Sequence, residues 1–113
     1  MKFGERLRTL RNQARLSQGQ LAERIYVSPA YVSKIELGAM APPSALTIHR
    51  MALALHADEQ ELMALAGKVP ARLKSAMKEH MLLAELVQVL SKQVLSDEMY
   101  QQLIAMAQEE QAS

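Results

Sequence analysis

The side chains able to do chemistry in this sequence are few and widely spaced. His49 and His56 stand seven residues apart, which on one helix is about 10 Å of rise, too far to share a metal ion. The chain contains no Cys, which rules out thiolate metal sites and a disulfide framework and suits a reducing compartment. Ser75-Ala76-Met77-Lys78 has S-x-x-K spacing, a motif that means little without the large penicillin-binding scaffold around it. The four Gly are isolated and build no phosphate-cradling loop. Catalytic residues, metal ligands and cofactors are therefore not expected. What remains is ionic chemistry. Residues 1–57 carry eight Lys/Arg and three Glu, whereas residues 58–113 carry five Lys/Arg and nine acidic side chains. A basic half implies a polyanionic partner, or simply an uneven draw of surface charge.

The elements that must position these charges can be read in order. With 113 residues, the chain allows one domain, or a small domain with an appendage. Eight Met against one Phe, three Tyr and no Trp describe a Leu/Ala/Met core, which favours helices. No apolar run approaches the ~18 residues of a spanning helix. Nor does an h-region follow Met1-Lys2-Phe3-Gly4-Glu5-Arg6, so no membrane association is expected and the location is read as cytoplasmic.

Phe3, Leu7, Leu10 and Ala14 recur at helical spacing and predict a first helix of about three turns. Ser17-Gln18-Gly19-Gln20 is a capping-box pattern that opens a second helix, Gln18 to Ile25, with Leu21, Ala22 and Ile25 inward. Ser28-Pro29 opens a third, running through Val32 and Ile35 to a stop at Gly38. After Pro42-Pro43-Ser44, the positions Ile48, Met51, Ala52 and Leu55 predict a fourth helix. Asp58 opens a fifth, with Leu62, Leu65 and Ala66 inward and Gly67 at its end. The expectation is an all-α protein: a five-helix domain over residues 1–67 and a helical segment over 68–113, divided at Lys68-Val69-Pro70.

The second segment is of a different kind. Between Leu82 and Leu95 only Glu85, Gln88 and Lys92 form a polar stripe, and a helix apolar round most of its circumference must be covered on several sides. Ser96-Asp97-Glu98 caps a last helix carrying Met99 or Tyr100, Leu103, Ile104 and Ala107. About 45 residues cannot bury this surface alone. Leu83, Val87, Leu90 and Val94 form a heptad-like seam, with Leu86 and Val89 on a second face. One face suits Leu46 and Leu53, which lie off the inward stripe of the fourth helix, and the other a two-fold copy, so the expected dimer interface is Leu83, Leu86, Val87, Leu90, Val94, Leu103 and Ile104. The basic run Lys68, Arg72, Lys74 and Lys78 reads as an ordinary exposed face.

The turn Tyr26-Val27-Ser28 is short enough to force the second and third helices to cross steeply, leaving the third protruding. A protruding helix can enter the major groove of DNA. The pattern Ser17-Gln18-x-x-Leu21-Ala22-x-x-x-x-Val27-Ser28-x-x-Tyr31-Val32-Ser33-Lys34-Ile35-Glu36-x-Gly38 closely resembles the phage Cro and repressor (XRE-like) helix-turn-helix family. The resemblance extends over residues 3–67. It implies a phosphate contact by Gln18 beside Ser17, base-facing roles for Pro29, Ala30, Ser33 and Lys34, and a backbone contact by Tyr31. It also implies a structural ion pair between Arg11 and Glu36, and it favours Arg15 and Arg24 as further phosphate contacts. Tyr26 stands where the family usually has Gly to supply a positive φ. Either a strained Tyr is held there, at ~1 kcal/mol, or the turn differs locally.

The function implied is sequence-specific regulation of transcription by a homodimer on double-stranded DNA with a two-fold symmetric operator, most simply as a repressor. Of the base-facing set only Lys34 suits guanine, while Pro29 and Ala30 suit thymine methyl groups. Two rivals remain open. One is an antitoxin or partner-controlled regulator whose C-terminal helices capture another protein through Met99, Leu103, Ile104 and Met106. The other is a helical adaptor that does not bind DNA.

Overall fold

The computed structural model of the chain describes residues 1–68 and 70–112. Among them are eight helices and no strand: α1 (Phe3–Gln13), α2 (Gln18–Arg24), α3 (Pro29–Leu37), α4 (Ala45–Leu55), α5 (Glu59–Leu65), α6 (Ala71–Glu79), α7 (Met81–Lys92) and α8 (Asp97–Ala112). They form two compact units, Met1–Pro70 and Ala71–Ser113. The junction falls within the expected break at Lys68-Val69-Pro70, with Val69 itself outside the described residues.

Each helix start in the first unit after α1 has a side-chain cap. Ser17 and Gln20 form a reciprocal box: Ser17 Oγ accepts from the Gln20 N–H at 3.0 Å, and Gln20 Oε1 accepts from the Ser17 N–H at 2.8 Å. Ser28 accepts from the Tyr31 N–H, Ser44 from that of Thr47, and Asp58 from those of Gln60 and Glu61. Each bond satisfies a donor that has no intrahelical acceptor, worth about 1 kcal/mol per cap.

The five helices of this unit also end alike. Leu16, Val27, Ala39, Ala57 and Lys68 donate backbone N–H groups to Arg11, Ala22, Lys34, Ala52 and Met63 respectively. These are the six-to-one bonds of a Schellman stop. The residue before each donor is left-handed: Arg15, Tyr26, Gly38, His56 and Gly67 have φ of 58°, 62°, 74°, 52° and 73°. Tyr26 therefore keeps the positive φ for which the pattern would use Gly, and the turn is not remodelled around it. Its exposed ring lies 5.3 Å from the Arg50 guanidinium, a contact worth about 0.5–1 kcal/mol that offsets part of the strain.

The core draws on all five helices. Leu7, Leu21, Ile25, Val32, Ile35, Ile48, Met51 and Leu62 are each at least 98% buried, and each contributes roughly 1.5–3 kcal/mol. α3 packs on α1 and α2, α2 also touches α4, and α4 packs on α5. Where α1 crosses α3 the two backbones meet. A Cβ built on the buried Gly4 would stand 2.3 Å from the Ile35 carbonyl oxygen and 2.7 Å from that of Glu36.

The second unit is less covered. α6 packs on α7, separated from it by His80 alone, and the Leu95 N–H donates to Tyr100 Oη at 3.2 Å. Ser96 caps α8 through the Met99 N–H. Helix α6 was not anticipated, because its basic positions read as a surface without a sufficient inward stripe. No described residue of this unit is fully buried. The expected helix over Leu82–Leu95 ends at Lys92, and Gln93 is extended. Val94, 93% exposed, therefore lies past α7 and does not continue the seam Leu83, Val87, Leu90 as an eleventh-step position.

Candidate nucleic-acid interface

One carboxylate holds α3 in place. The Glu36 side chain has no solvent exposure. Arg11 reaches it from α1, with Nε donating to Oε2 at 2.6 Å and Nη2 donating to Oε1 at 2.9 Å. Gln18 Nε2 donates to Oε1 at 3.2 Å from the start of α2, and Arg8 Nε does so at 3.3 Å. Arg11 Nη1 also donates to the Leu16 carbonyl at 2.9 Å, tying down the stop of α1. A single buried anion thus joins α1, α2 and α3. Burial alone would push the Glu36 carboxyl up. The hydrogen bonds from Arg11 and Gln18, the Arg11 charge and the Arg8 bond outweigh it and hold the group below its ordinary value. The same hydrogen bond holds the Arg11 guanidinium above its ordinary value against burial.

With Val32, Ile35 and Glu36 facing inward, helical geometry turns the other face of α3 out. Pro29, Ala30 and Lys34 are exposed and Ser33 is half-buried. These four lie on one face of the helix, which Leu37 extends at i+7 from Ala30 and is 68% exposed. In the sequence alone Leu37 reads only as the end of the helix. Its spacing from Ala30 and Ser33 was the available signal. Tyr31 is half-buried and packs on the core, and burial pushes its phenol up, so the hydroxyl stays neutral and able to donate.

The arginines separate into two groups. Arg6 pairs with Glu61 at 2.5 Å, and Arg8 and Arg11 with Glu36, so three cations of the basic half are committed within the fold. Arg15 and Arg24 are exposed. Arg50, on α4, was overlooked in the sequence because it is a lone cation in an apolar helix. It stacks on Tyr26, and with Arg24, Leu53 and Ala54 the two line an open cleft. Gln18 gives one amide N–H to Glu36; its second amide N–H and its main-chain N–H, at the start of α2, are further donors there. The Ser17 hydroxyl accepts its capping bond and keeps its own proton free to donate. His49 contacts Glu59 and His56 is exposed. No group of three or more potential ligands that could hold a metal is found among the described residues, and no described helix is long and apolar enough to cross a membrane.

A family model described as "Helix-turn-helix domain" matches residues 2–65. Among curated proteins, the chain is 41% identical over 69 residues to the uncharacterized HTH-type transcriptional regulator RghRB of Bacillus subtilis (strain 168), covering 61% of this chain and 50% of that protein. It is 42% identical over 67 residues to the HTH-type transcriptional repressor RghR of the same organism, covering 59% of this chain and 50% of that one. The matched region thus spans about half the length of these relatives. No solved structure matches. The match over more than half of the chain, on the unit that presents α3, places this protein in the XRE-like helix-turn-helix family of regulators.

Proposed function

We propose that this chain is a DNA-binding transcriptional regulator that acts in the cytoplasm as a homodimeric repressor, reading the major groove with α3. The carrying observation is the outward face of α3. Pro29, Ala30, Ser33, Lys34 and Leu37 leave the core, while the Glu36 network on the opposite side locks the helix to α1 and α2. A rigid helix of this width fits the groove. Arg15, Arg24 and Arg50 supply cations for phosphates, with the Ser17 hydroxyl and the Gln18 N–H beside them. The chemistry of the reading face is limited. Lys34 donates to guanine, Ser33 to several bases, and Pro29, Ala30 and Leu37 touch thymine methyl groups, so DNA shape carries part of the choice.

Repression rests on the printed name of one relative, the HTH-type transcriptional repressor RghR, and is an argument by analogy with that protein. Dimerisation rests on the second unit, whose apolar helices have no fully buried described residue. Two linked reading units raise affinity through effective concentration.

Two substitutions distinguish base reading from phosphate contact. Lys34→Ala relaxes preference at one base position by about 1–3 kcal/mol. Arg24→Ala weakens every duplex alike and lowers the slope of log affinity against log salt by about one phosphate. Gel shifts over a salt series, on selected and scrambled duplexes, read both. If Lys34→Ala costs the same on every duplex, Lys34 is a phosphate contact and the specificity lies elsewhere on α3. The partner-controlled reading keeps one observation in its favour, the exposed Met99, Ile104 and Met106 of α8. A stable one-to-one complex with a second small protein that abolishes the gel shift would support it.

A further inference from the structure

Helix α7 is apolar on nearly every side, yet none of its residues is buried. Leu83, Val87 and Leu90 are half-buried, and α6 packs on α7. That leaves a second stripe, Leu82, Leu86 and Val89, with exposures of 79%, 46% and 44%. Its spacing of i, i+4, i+7 is a coiled-coil seam. Along one flank of the stripe stand Glu85 and Lys92, both exposed and without a salt bridge among the described residues. Seven residues place them almost one above the other, about 10.5 Å apart along the axis.

We infer that this outer stripe is the self-association seam, and that two copies of α7 meet there antiparallel across a two-fold axis. The inference rests on the homodimer reading above and adds the surface, direction and register. An antiparallel two-fold turns each flank onto its own reversed image. Glu85 of one copy then faces Lys92 of the second, and Lys92 of the first faces Glu85 of the second. In that register Leu86 lies against Val89 of the second copy, with the axis passing between Val87 and Gln88. The flank is thus complementary to itself in this direction. A parallel pair would bring opposite flanks together and leave Glu85 and Lys92 unmatched. A lone patch of leucines carries no such information, and the charges are what select a second copy as the occupant. The interface expected from sequence drew on both stripes, Leu83, Val87 and Leu90 as well as Leu86; of the two, the stripe through Leu86 is the more exposed. Period alone does not say which of two apolar stripes the rest of the unit covers.

The test uses the full chain, with sedimentation equilibrium for mass and circular dichroism for fold. Wild type is expected to dimerise at micromolar concentration. Glu85→Lys and Lys92→Glu each replace two attractions by two repulsions, and each is expected to weaken the dimer about tenfold or more. The double substitution, and an equimolar mixture of the two single variants, is expected to restore it to within about threefold of wild type. Leu86→Ala, at an exposed position, weakens the dimer without loss of helix content. Single variants that weaken the dimer with no restoration would overturn the antiparallel register. A dimer indifferent to all of these changes would overturn the seam while leaving the homodimer reading intact. A monomer at 100-fold higher concentration would overturn both.

Discussion

Glu36→Ala is expected to destabilise the first unit by about 3–5 kcal/mol, the range for removing one partner of a buried pair. The substitution leaves the Arg11 guanidinium, 12% exposed, with only the Leu16 carbonyl. It also frees Arg8 and Gln18 from their shared acceptor. Total stabilities of small domains are about 5–15 kcal/mol, so the variant stands near the limit of folding. Urea unfolding followed by circular dichroism measures the loss. The pH dependence identifies its origin. The Glu36 carboxyl is lower in the folded than in the unfolded chain, because the bonds from Arg11, Gln18 and Arg8 outweigh burial. Its contribution is complete above the ordinary carboxylate range and is lost as pH falls below that range through the folded value. Wild type should therefore lose stability on acidification more steeply than Glu36→Gln, which cannot titrate. Equal acid slopes would mean that the carboxylate is not held charged in the folded unit.

Gly4→Ala is the second large effect, and its sign runs against helix propensity. In an exposed helix Ala is favoured over Gly by about 1 kcal/mol. Here the new methyl would stand 2.3 Å from one backbone oxygen of α3 and 2.7 Å from the next. Neither oxygen is a flexible side-chain end, so α1 must move off α3 and take Phe3 and Leu7 with it. We expect a loss of about 3 kcal/mol, at the upper end for overpacking, or a fall in Tm of about 12–24 °C for a unit of this size. Gly4→Ser should be at least as damaging. A Tm within 2 °C of wild type would show that the two backbones do not meet as described.

The helix starts were legible because Ser17, Ser28, Ser44, Asp58 and Ser96 belong to residue types that cap through a side-chain oxygen. The stops were legible only at Gly38 and Gly67. Arg15 and His56 adopt the same left-handed conformation without the residue type that announces it. The core was readable from period, since Leu7, Ile35, Ile48, Met51 and Leu62 all fall on inward stripes. Gly4 was not, because a close backbone approach leaves no apolar mark. On the candidate site, the pattern over Ser17–Gly38 pointed to α3 as the reading helix. It did not show that Gln18 turns its amide to Glu36, since that depends on where α3 lies in space. Leu37 and Arg50 were missed for a related reason: which face of α3 and of α4 stays outside is settled by packing against the other helices.

The proposed reading of duplex DNA by α3 is tested most directly by selection of bound sequences from a random duplex pool by the full chain. A two-fold symmetric site is expected to be enriched, its half-sites about one helical turn apart or a multiple of that. Binding should fall steeply with salt, and Lys34→Ala should blur one position in each half-site. No enriched sequence, together with no salt-dependent binding to any duplex, would contradict that reading and leave a protein-binding helical adaptor in its place.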